Sequence, residues 1–359
     1  MLRDLFWNDE ERRARPWARP ALWPASLAYR VLLAGWSKWG ARLGGGRRRL
    51  PVPVVSVGNI VVGGTGKTPT AWWIAARLAA AGRRPVILSR GYGGRAGRGP
   101  VVVSEGGGAL CDQSIAGDEP VMLARRGSGV RVVVGSDRYA CGMHAVEALG
   151  ADCAILDDGF QHLALHRDLD LLLMDSTRPL GSGGLLPDGT LREPFSAVSR
   201  ADLVIFTRWS ERLNGREDRA RVEAVVGGDR IVTASHAFAG LADASAPETA
   251  RGVEGARVLL VSGIADWRAF ERTAAGAGIQ ARDHVRFGDH HKYTRADLEL
   301  IARRARETEA SAVLTTEKDA VRLPARIAGL DAPILYLRVE LKIEKGLAAL
   351  CEALDRLFI

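Results

Sequence analysis

The chain has 359 residues, of which 47% are hydrophobic and 26% charged, which excludes a disordered or collagen-like polymer and leaves room for more than one α/β core. Four cysteines, Cys111, Cys141, Cys153 and Cys351, form no CxxC pair, so neither a disulfide framework nor a zinc knuckle is indicated and a reducing compartment fits best. The net charge of +8 is concentrated at one end: residues 1–50 hold eleven Lys and Arg against four acids, a pattern that speaks for an anionic surface met by an arm rather than for nucleic acid gripped by the whole body.

That arm also carries Trp7, Trp17, Trp23, Trp36 and Trp39. Its most apolar stretch, Ala25 to Gly35, is interrupted by Arg30 and is too short to span a bilayer, which takes about 20 apolar residues. The apolar stretch begins late and is followed by Lys38, Arg42 and a GGGRRR run, where a signal peptide would have a small-residue cleavage site. Mixed Trp, Leu and Arg suit a helix lying in a membrane interface, with Ala28, Leu32, Trp36, Trp39 and Leu43 on one face and Arg30, Lys38 and Arg42 opposite, where Leu27 and Val31 also fall. The blander expectation is a helix docked on its own domain.

The segment Pro51 to Gly58 reads as a buried strand, followed by a glycine-rich turn and a helix that Pro69 suits at its start and Gly82 ends. Further strands are predicted at Pro85–Ser89, Val101–Val103, Arg131–Val134, Ala154–Leu156, Leu169–Met174 and Leu203–Phe206, with helices at Glu119–Arg126 and Asp137–Leu149 between them. The alternation predicts a doubly wound, mostly parallel sheet whose chemistry sits at the carboxyl ends of its strands. Ser210 to Arg230 turns polar. A second, smaller α/β unit then follows, with strands Arg257–Ser262 and Ala312–Thr315 and helices from Asp266 and over Arg295–Glu309. Val232–Phe238 and Ile334–Leu341 read as a two-strand connection, and a last helix at about Ile343–Leu357 as a return to the first unit. The expected organisation is an arm over 1–50, a P-loop domain over 51–230, a second domain with its connecting strands over 231–343 and a C-terminal helix over 344–359.

Val61-Val-Gly-Gly-Thr-Gly-Lys67-Thr68 stands between the first strand and helix. It departs from the Walker A pattern only in having Val61 for the first Gly. In such a loop Gly63, Gly64, Thr65 and Gly66 present backbone N–H groups to nucleotide phosphates, Lys67 meets the β- and γ-phosphates, and Thr68 offers a hydroxyl to Mg²⁺. Asp157 and Asp158 follow a buried strand, where a P-loop protein places the carboxylate that positions the metal; which of the two does so stays open, and a capping pair at a turn is the plainer alternative. Asp118, in Gly117-Asp-Glu-Pro120, is either a helix cap or the group that takes a proton from an acceptor hydroxyl. His290 and His291 are adjacent and therefore poorly placed to share one metal. Thr315-Thr-Glu-Lys-Asp319 resembles a guanine-reading motif only superficially, because no residue separates Lys318 from Asp319.

Taken in order, Ser56–Ile60, Gly63–Pro69, Ser89–Gly94, Gly117–Pro120, Leu156–His162, Leu185–Pro194, Phe287–Tyr293 and Thr315–Leu323 resemble the tetraacyldisaccharide 4′-kinases, the lipid A pathway kinases that make lipid IV-A. The likeness runs from about residue 20 to the C-terminus; Gly288 stands where the family is expected to have Pro. It implies ATP as co-substrate with Mg²⁺, an acylated disaccharide 1-phosphate as acceptor, no obligate protein partner, and peripheral attachment to the cytoplasmic face of the bacterial inner membrane. It further implies that Asp118 acts as base on the sugar 4′-hydroxyl with His290 orienting it, that Lys67 stabilises the transferring phosphoryl group, that Asp157 or Asp158 serves the metal, and that Glu119, Gln161, His162 and Arg192 support the site or touch substrate. The competing expectations are a P-loop kinase of a soluble metabolite and a membrane-associated regulatory ATPase.

Overall fold

The computed structural model describes residues 18–43, 47–209, 215–246 and 257–359. Trp7 and Trp17 lie outside the described residues, as do the side chains of Trp36, Lys38, Trp39, Arg42 and Leu43. The first described element is helix α1, Ala18–Leu43. The first half of the body then contains β1 (Val54–Gly58), α2 (Lys67–Ala80), β2 (Pro85–Ser89), β3 (Val101–Ser104), α3 (Gln113–Ala116), α4 (Asp118–Arg125), β4 (Arg131–Val134), α5 (Arg138–Leu149), β5 (Cys153–Asp157), β6 (Leu169–Asp175), β7 (Leu203–Thr207) and α6 (Arg216–Val226). The long strand β8 (Ile231–Asp243) leads to β9 (Arg257–Ser262), α7 (Trp267–Gly276), β10 (Gln280–Arg286), α8 (Arg295–Glu307), β11 (Ala312–Thr316) and α9 (Glu317–Arg322). Strand β12 (Ile334–Lys345) returns, and α10 (Leu347–Asp355) closes the chain.

All twelve strands join one sheet in the order β10-β9-β11-β12-β8-β7-β6-β1-β5-β2-β4-β3. Every neighbouring pair is parallel except β3–β4 and β8–β12. The antiparallel β8–β12 ribbon is the two-strand connection expected from sequence, and it is longer than expected at both ends. Pairing with Thr233 holds the chain extended as far as Lys345, so the last helix starts at Leu347 rather than near Ile343. A register shift between Arg338 and Val339 lies opposite Gly240, whose φ of 123° only glycine adopts readily, and a bulge of this kind bends the ribbon between the two halves.

The strands are apolar on both sides because helices cover both faces. On one face Val55, Ile87, Ile155 and Leu171 pack with Ala71, Ile74 and Leu78 of α2, and Leu350 and Leu354 of α10 enter the same core. On the other face Val54, Leu88 and Leu156 meet Cys141 and Ala145 of α5, while Val204 and Phe206 meet Val222 and Val226 of α6. The second half repeats the scheme. Along β9, Val258 and Leu260 face Phe270 and Ala274 of α7, and Leu259 and Val261 face Ile301 and Ala305 of α8. All four cysteines are free thiols.

Helix α1 touches the body along one stripe. Ser26 Oγ donates to the Leu185 carbonyl at 3.0 Å and Tyr29 Oη to the Arg192 carbonyl at 2.9 Å. Trp23, Leu27, Val31 and Leu32 remain exposed on the same helix. Leu27 and Val31, which a wheel drawn from sequence places among the basic residues, are exposed together with Arg30, because the docking stripe through Ser26 and Tyr29 turns that side to solvent. No described helix is long and apolar enough to cross a membrane.

Candidate active site

The loop between β1 and α2 has the form its sequence suggests. Gly66, at φ 80°, is left-handed and turns the chain into α2, and a Cβ there would lie 2.9 Å from Nε2 of His236 on β8. Both the backbone angle and the close neighbour require glycine. Asn59 Nδ2, at the end of β1, donates to Thr65 Oγ1 at 2.9 Å and braces the loop from beneath. Burial and the nearby Arg208 push the His236 imidazole down to about 4, so the ring under the loop is neutral.

The two adjacent acids after β5 diverge. Asp157 is buried and faces α2: its Oδ2 lies 3.2 Å from Thr68 Oγ1. Its Oδ1 is buried without a hydrogen-bond partner. Burial, then the charges of Glu119 and Asp158, push the Asp157 carboxyl up to about 7. Asp158, at φ 56°, turns to the other side of the chain. Arg192 grips it with two bonds of 2.6 and 3.0 Å, and Lys67 Nζ lies 3.7 Å from its Oδ1. Burial alone would raise its carboxyl, but the Arg192 hydrogen bond and the charge of Lys67 outweigh this and hold it below the usual range. Thr68 Oγ1 also lies 3.4 Å from Glu119 Oε2.

Two carboxylates and a hydroxyl, from Asp157, Glu119 and Thr68, therefore converge beside the phosphate loop. No group of three His, Cys, Asp or Glu side chains clusters for a metal among the described residues. This donor set suits Mg²⁺, which keeps several waters and takes only one or two protein carboxylates beside phosphate oxygens. The orphaned Oδ1 of Asp157 is the second observation that a cation would answer. Asp158 is occupied otherwise, as partner of Lys67 and Arg192.

Asp118 and His290 come from opposite halves of the chain and meet: His290 Nδ1 is 3.2 Å from Asp118 Oδ2. The capping residue of α4 is Gly117, and the Asp118 carboxylate is bonded to His290 and Arg322 of the second half instead of to its own helix. Arg322 Nε donates to the same oxygen at 2.8 Å. Burial would raise the Asp118 carboxyl; the His290 hydrogen bond and the charge of Arg322 prevail and keep it ionised. His291 points elsewhere, bonded to Asp297 at 2.9 Å and stacked on Phe287, so the adjacent histidines share no ligand. Gln161 Nε2 bonds the Asn59 carbonyl at 2.8 Å and Glu193 at 2.9 Å, behind the loop. Burial and the charges of Arg138 and Arg90 push His162 down to about 4.

Five participants are absent from the sequence-based site: Arg126, Glu317, Lys318, Asp319 and Arg322. Arg126 and Glu317 form a doubly bonded pair between α4 and α9. Lys318 Nζ bonds Glu119 Oε1. Asp319, fully buried, accepts from the Gly263 amide, Tyr293, Thr316 and Arg322. Glu317, Lys318 and Asp319 lie in the segment that resembles a guanine motif in sequence, and Arg322 lies three residues beyond it. Here it packs against α4.

The family model for tetraacyldisaccharide-1-P 4′-kinase matches residues 18–357. The chain belongs to this family. It is 42% identical to the tetraacyldisaccharide 4′-kinase of Anaeromyxobacter sp. (strain Fw109-5) over 98% of this chain and 95% of that protein. It is 41% identical to that of Syntrophus aciditrophicus over 82% of each. Among solved structures, LpxK from Aquifex aeolicus in complex with ATP superposes with a TM-score of 0.76 at 30% identity, covering 95% of this chain and 99% of that one. The chain thus carries its phosphate loop within a family of tetraacyldisaccharide 4′-kinases, and ATP is the co-substrate.

Proposed function

We propose that the protein transfers the γ-phosphoryl group of ATP to the 4′-hydroxyl of an acylated disaccharide 1-phosphate at a membrane surface. The observation that carries this reading is the contact of Asp118 with His290, from the two halves of the chain, beside the Glu119 that reaches Thr68 of the phosphate loop. In the reaction, the bond between the γ-phosphorus and the bridging oxygen to the β-phosphate breaks and one to the sugar oxygen forms. Asp118, held ionised and aimed by His290 and Arg322, receives the hydroxyl proton, and His290 can relay it. Lys67 meets the charge on the transferring oxygens, with Asp158 and Arg192 fixing its approach. Thr68, Asp157 and Glu119 would hold Mg²⁺, which when bound neutralises the phosphate oxygens. Gln161 and His162 would support the loop from behind.

Family membership does not favour a soluble-metabolite kinase or a regulatory ATPase. The test is ATP turnover with and without acylated disaccharide 1-phosphate. Stoichiometric phosphorylation of the 4′-hydroxyl is expected, and acceptor-independent hydrolysis at the same rate would reject the reading.

Helix α1 supports the membrane part of the proposal. Its exposed Trp23, Leu27, Val31 and Leu32 stand on the element that Tyr29 fastens to Arg192, whose guanidinium holds Asp158 at the phosphate site. Acyl chains could thus lie along the helix while the sugar enters the cleft. Liposome flotation should weaken but persist in high salt, since screening beyond about 10 Å at 0.1 M ionic strength removes charge attraction and leaves apolar burial. Trp23→Ala together with Leu32→Ala should weaken it further. Equal flotation after deletion of residues 1–43 would exclude the arm as an anchor.

A further inference from the structure

We propose that Lys318 is a catalytic residue, a second lysine that the C-terminal half delivers to the transferring phosphoryl group. The inference rests on the kinase reading and adds to it a cation that the phosphate loop does not supply.

The segment Thr316–Arg322 is built so that almost every polar side chain is spoken for. Thr316 caps α9 and bonds Asp319 at 2.7 Å. Glu317 is committed to Arg126, both nearly buried at 13% and 9% exposure. Asp319 is an enclosed hub for four donors, and Arg322, 5% exposed, joins it to Asp118. These pairs fix α9 against α4. Lys318 differs: its side chain is 35% exposed and that of its partner Glu119 37% exposed, so this pair keeps some access to solvent beside the phosphate loop. The rigid frame on either side gives its ammonium a fixed base and a flexible stem, the properties of a mobile point charge.

Its position then matters. Glu119 binds Lys318 through Oε1, while Oε2 lies 3.4 Å from Thr68 Oγ1, the hydroxyl at the head of the phosphate loop. Glu119 therefore stands between Lys318 and the phosphates. When Glu119 takes part in holding a divalent cation, its charge is shared and its hold on the ammonium weakens. Nucleotide brings further negative charge to the same place. Lys318 then has a stronger partner within reach of its side chain, the γ-phosphate oxygens. In the structure as it stands, Glu119 keeps the ammonium parked at the site. Lys318 rides on the half that also carries His290, and the Asp118–His290 pair already in place holds that half where the ammonium can reach the phosphate. Lys318 forms no covalent bond: the transferred group passes from ATP to the sugar oxygen, ADP leaves, and the proton goes to Asp118 as above.

The rival is an ion pair that merely ties the halves. The two are separated by the affinity of Mg·ADP with aluminium fluoride, a mimic of the transferring phosphoryl group, measured calorimetrically beside that of Mg·ADP alone. Lys318→Met preserves the stem and removes the charge; Lys318→Arg keeps a charge. We expect Lys318→Met to fold with a cooperative melt, to bind Mg·ADP as the wild type does, to lose about tenfold or more of its affinity for the fluoride complex, and to lose about 10²-fold in kcat. Lys318→Arg should retain part of both. Two results would overturn the inference: wild-type affinity for the fluoride complex in Lys318→Met, or parallel loss of Mg·ADP and fluoride-complex affinity, which marks a tie between halves. Failure of the wild-type enzyme to phosphorylate the acylated disaccharide would count against the function and leave this binding comparison standing.

Discussion

Lys67→Ala should lower kcat by about 10²–10³-fold or more while the protein melts as the wild type does, because the side chain acts on charge that develops during transfer. Lys67 is one of two cations on Asp158, and Arg192 remains on that carboxylate with both its bonds when the lysine is removed. No buried charge is stranded, so the loss should appear in activity and not in stability. Thr68→Ala differs. It takes away the one hydrogen bond to Oδ2 of an Asp157 whose Oδ1 already has no partner. A fall in kcat of similar size should therefore come with a higher Mg²⁺ concentration for half-maximal rate, and Thr68→Ser, which keeps the hydroxyl, should recover most of it. Steady-state kinetics against Mg²⁺ concentration and a thermal melt distinguish these outcomes. Near-normal turnover by folded Lys67→Ala would remove the phosphate-site assignment.

The phosphate loop was legible because its signals are local. A β-branched run, a glycine turn and a helix start lie within twenty residues, and Gly66 and Thr68 stand at the turn into α2 and in its first turn, as their spacing predicts. Asp157 and Asp158 were legible as a pair but not individually; the positive φ at Asp158 separates them, and nothing in two consecutive aspartates announces it. The ion pairs between α4 and α9 were hidden for another reason. Arg126 meets Glu317 from 191 residues away and Arg322 meets Asp118 from 204, and each of these residues read alone is an ordinary charge on a helix surface. Edge and surface elements failed in the same physical way. Strand β10, Gln280–Arg286, has no fully buried residue, and α6 buries only Val222 and Val226, so neither shows the apolar period that marks a core element. The pairing of Asp118 with His290 came from likeness to a family, since two short polar motifs 172 residues apart carry no sign of their contact.

Asp118→Asn and His290→Ala should each lower kcat by about 10²-fold or more with nucleotide affinity little changed, since neither residue touches the phosphate loop. The reasoning starts from the acceptor. A sugar hydroxyl holds its proton tightly, and a carboxylate with an ordinary pKa of about 3.9 is a weak base for it. Asp118 is weaker still by this measure, because His290 and Arg322 stabilise its ionised form. Its value lies in placement: it is charged at neutral pH, fixed by two donors, and joined to an imidazole that can take the proton onward. Removing either member breaks that unit, so the double variant should lose far less than the product of the single losses. Asparagine caps a helix as well as aspartate does, so a pure capping role predicts a silent Asp118→Asn. The observed bonds oppose that role, and they add a control. Arg322 is almost completely buried and shares its charge between Asp118 and Asp319. Neutralising Asp118 leaves this guanidinium with one carboxylate, so Asp118→Asn should also lower Tm, whereas His290→Ala, at a partly exposed ring, should lower it less. The two variants thus share a kinetic defect and differ in stability. Wild-type kcat at saturating acceptor in folded Asp118→Asn would decide against the dyad, and equal loss of Tm without loss of kcat would reduce Asp118 to a tie between the halves.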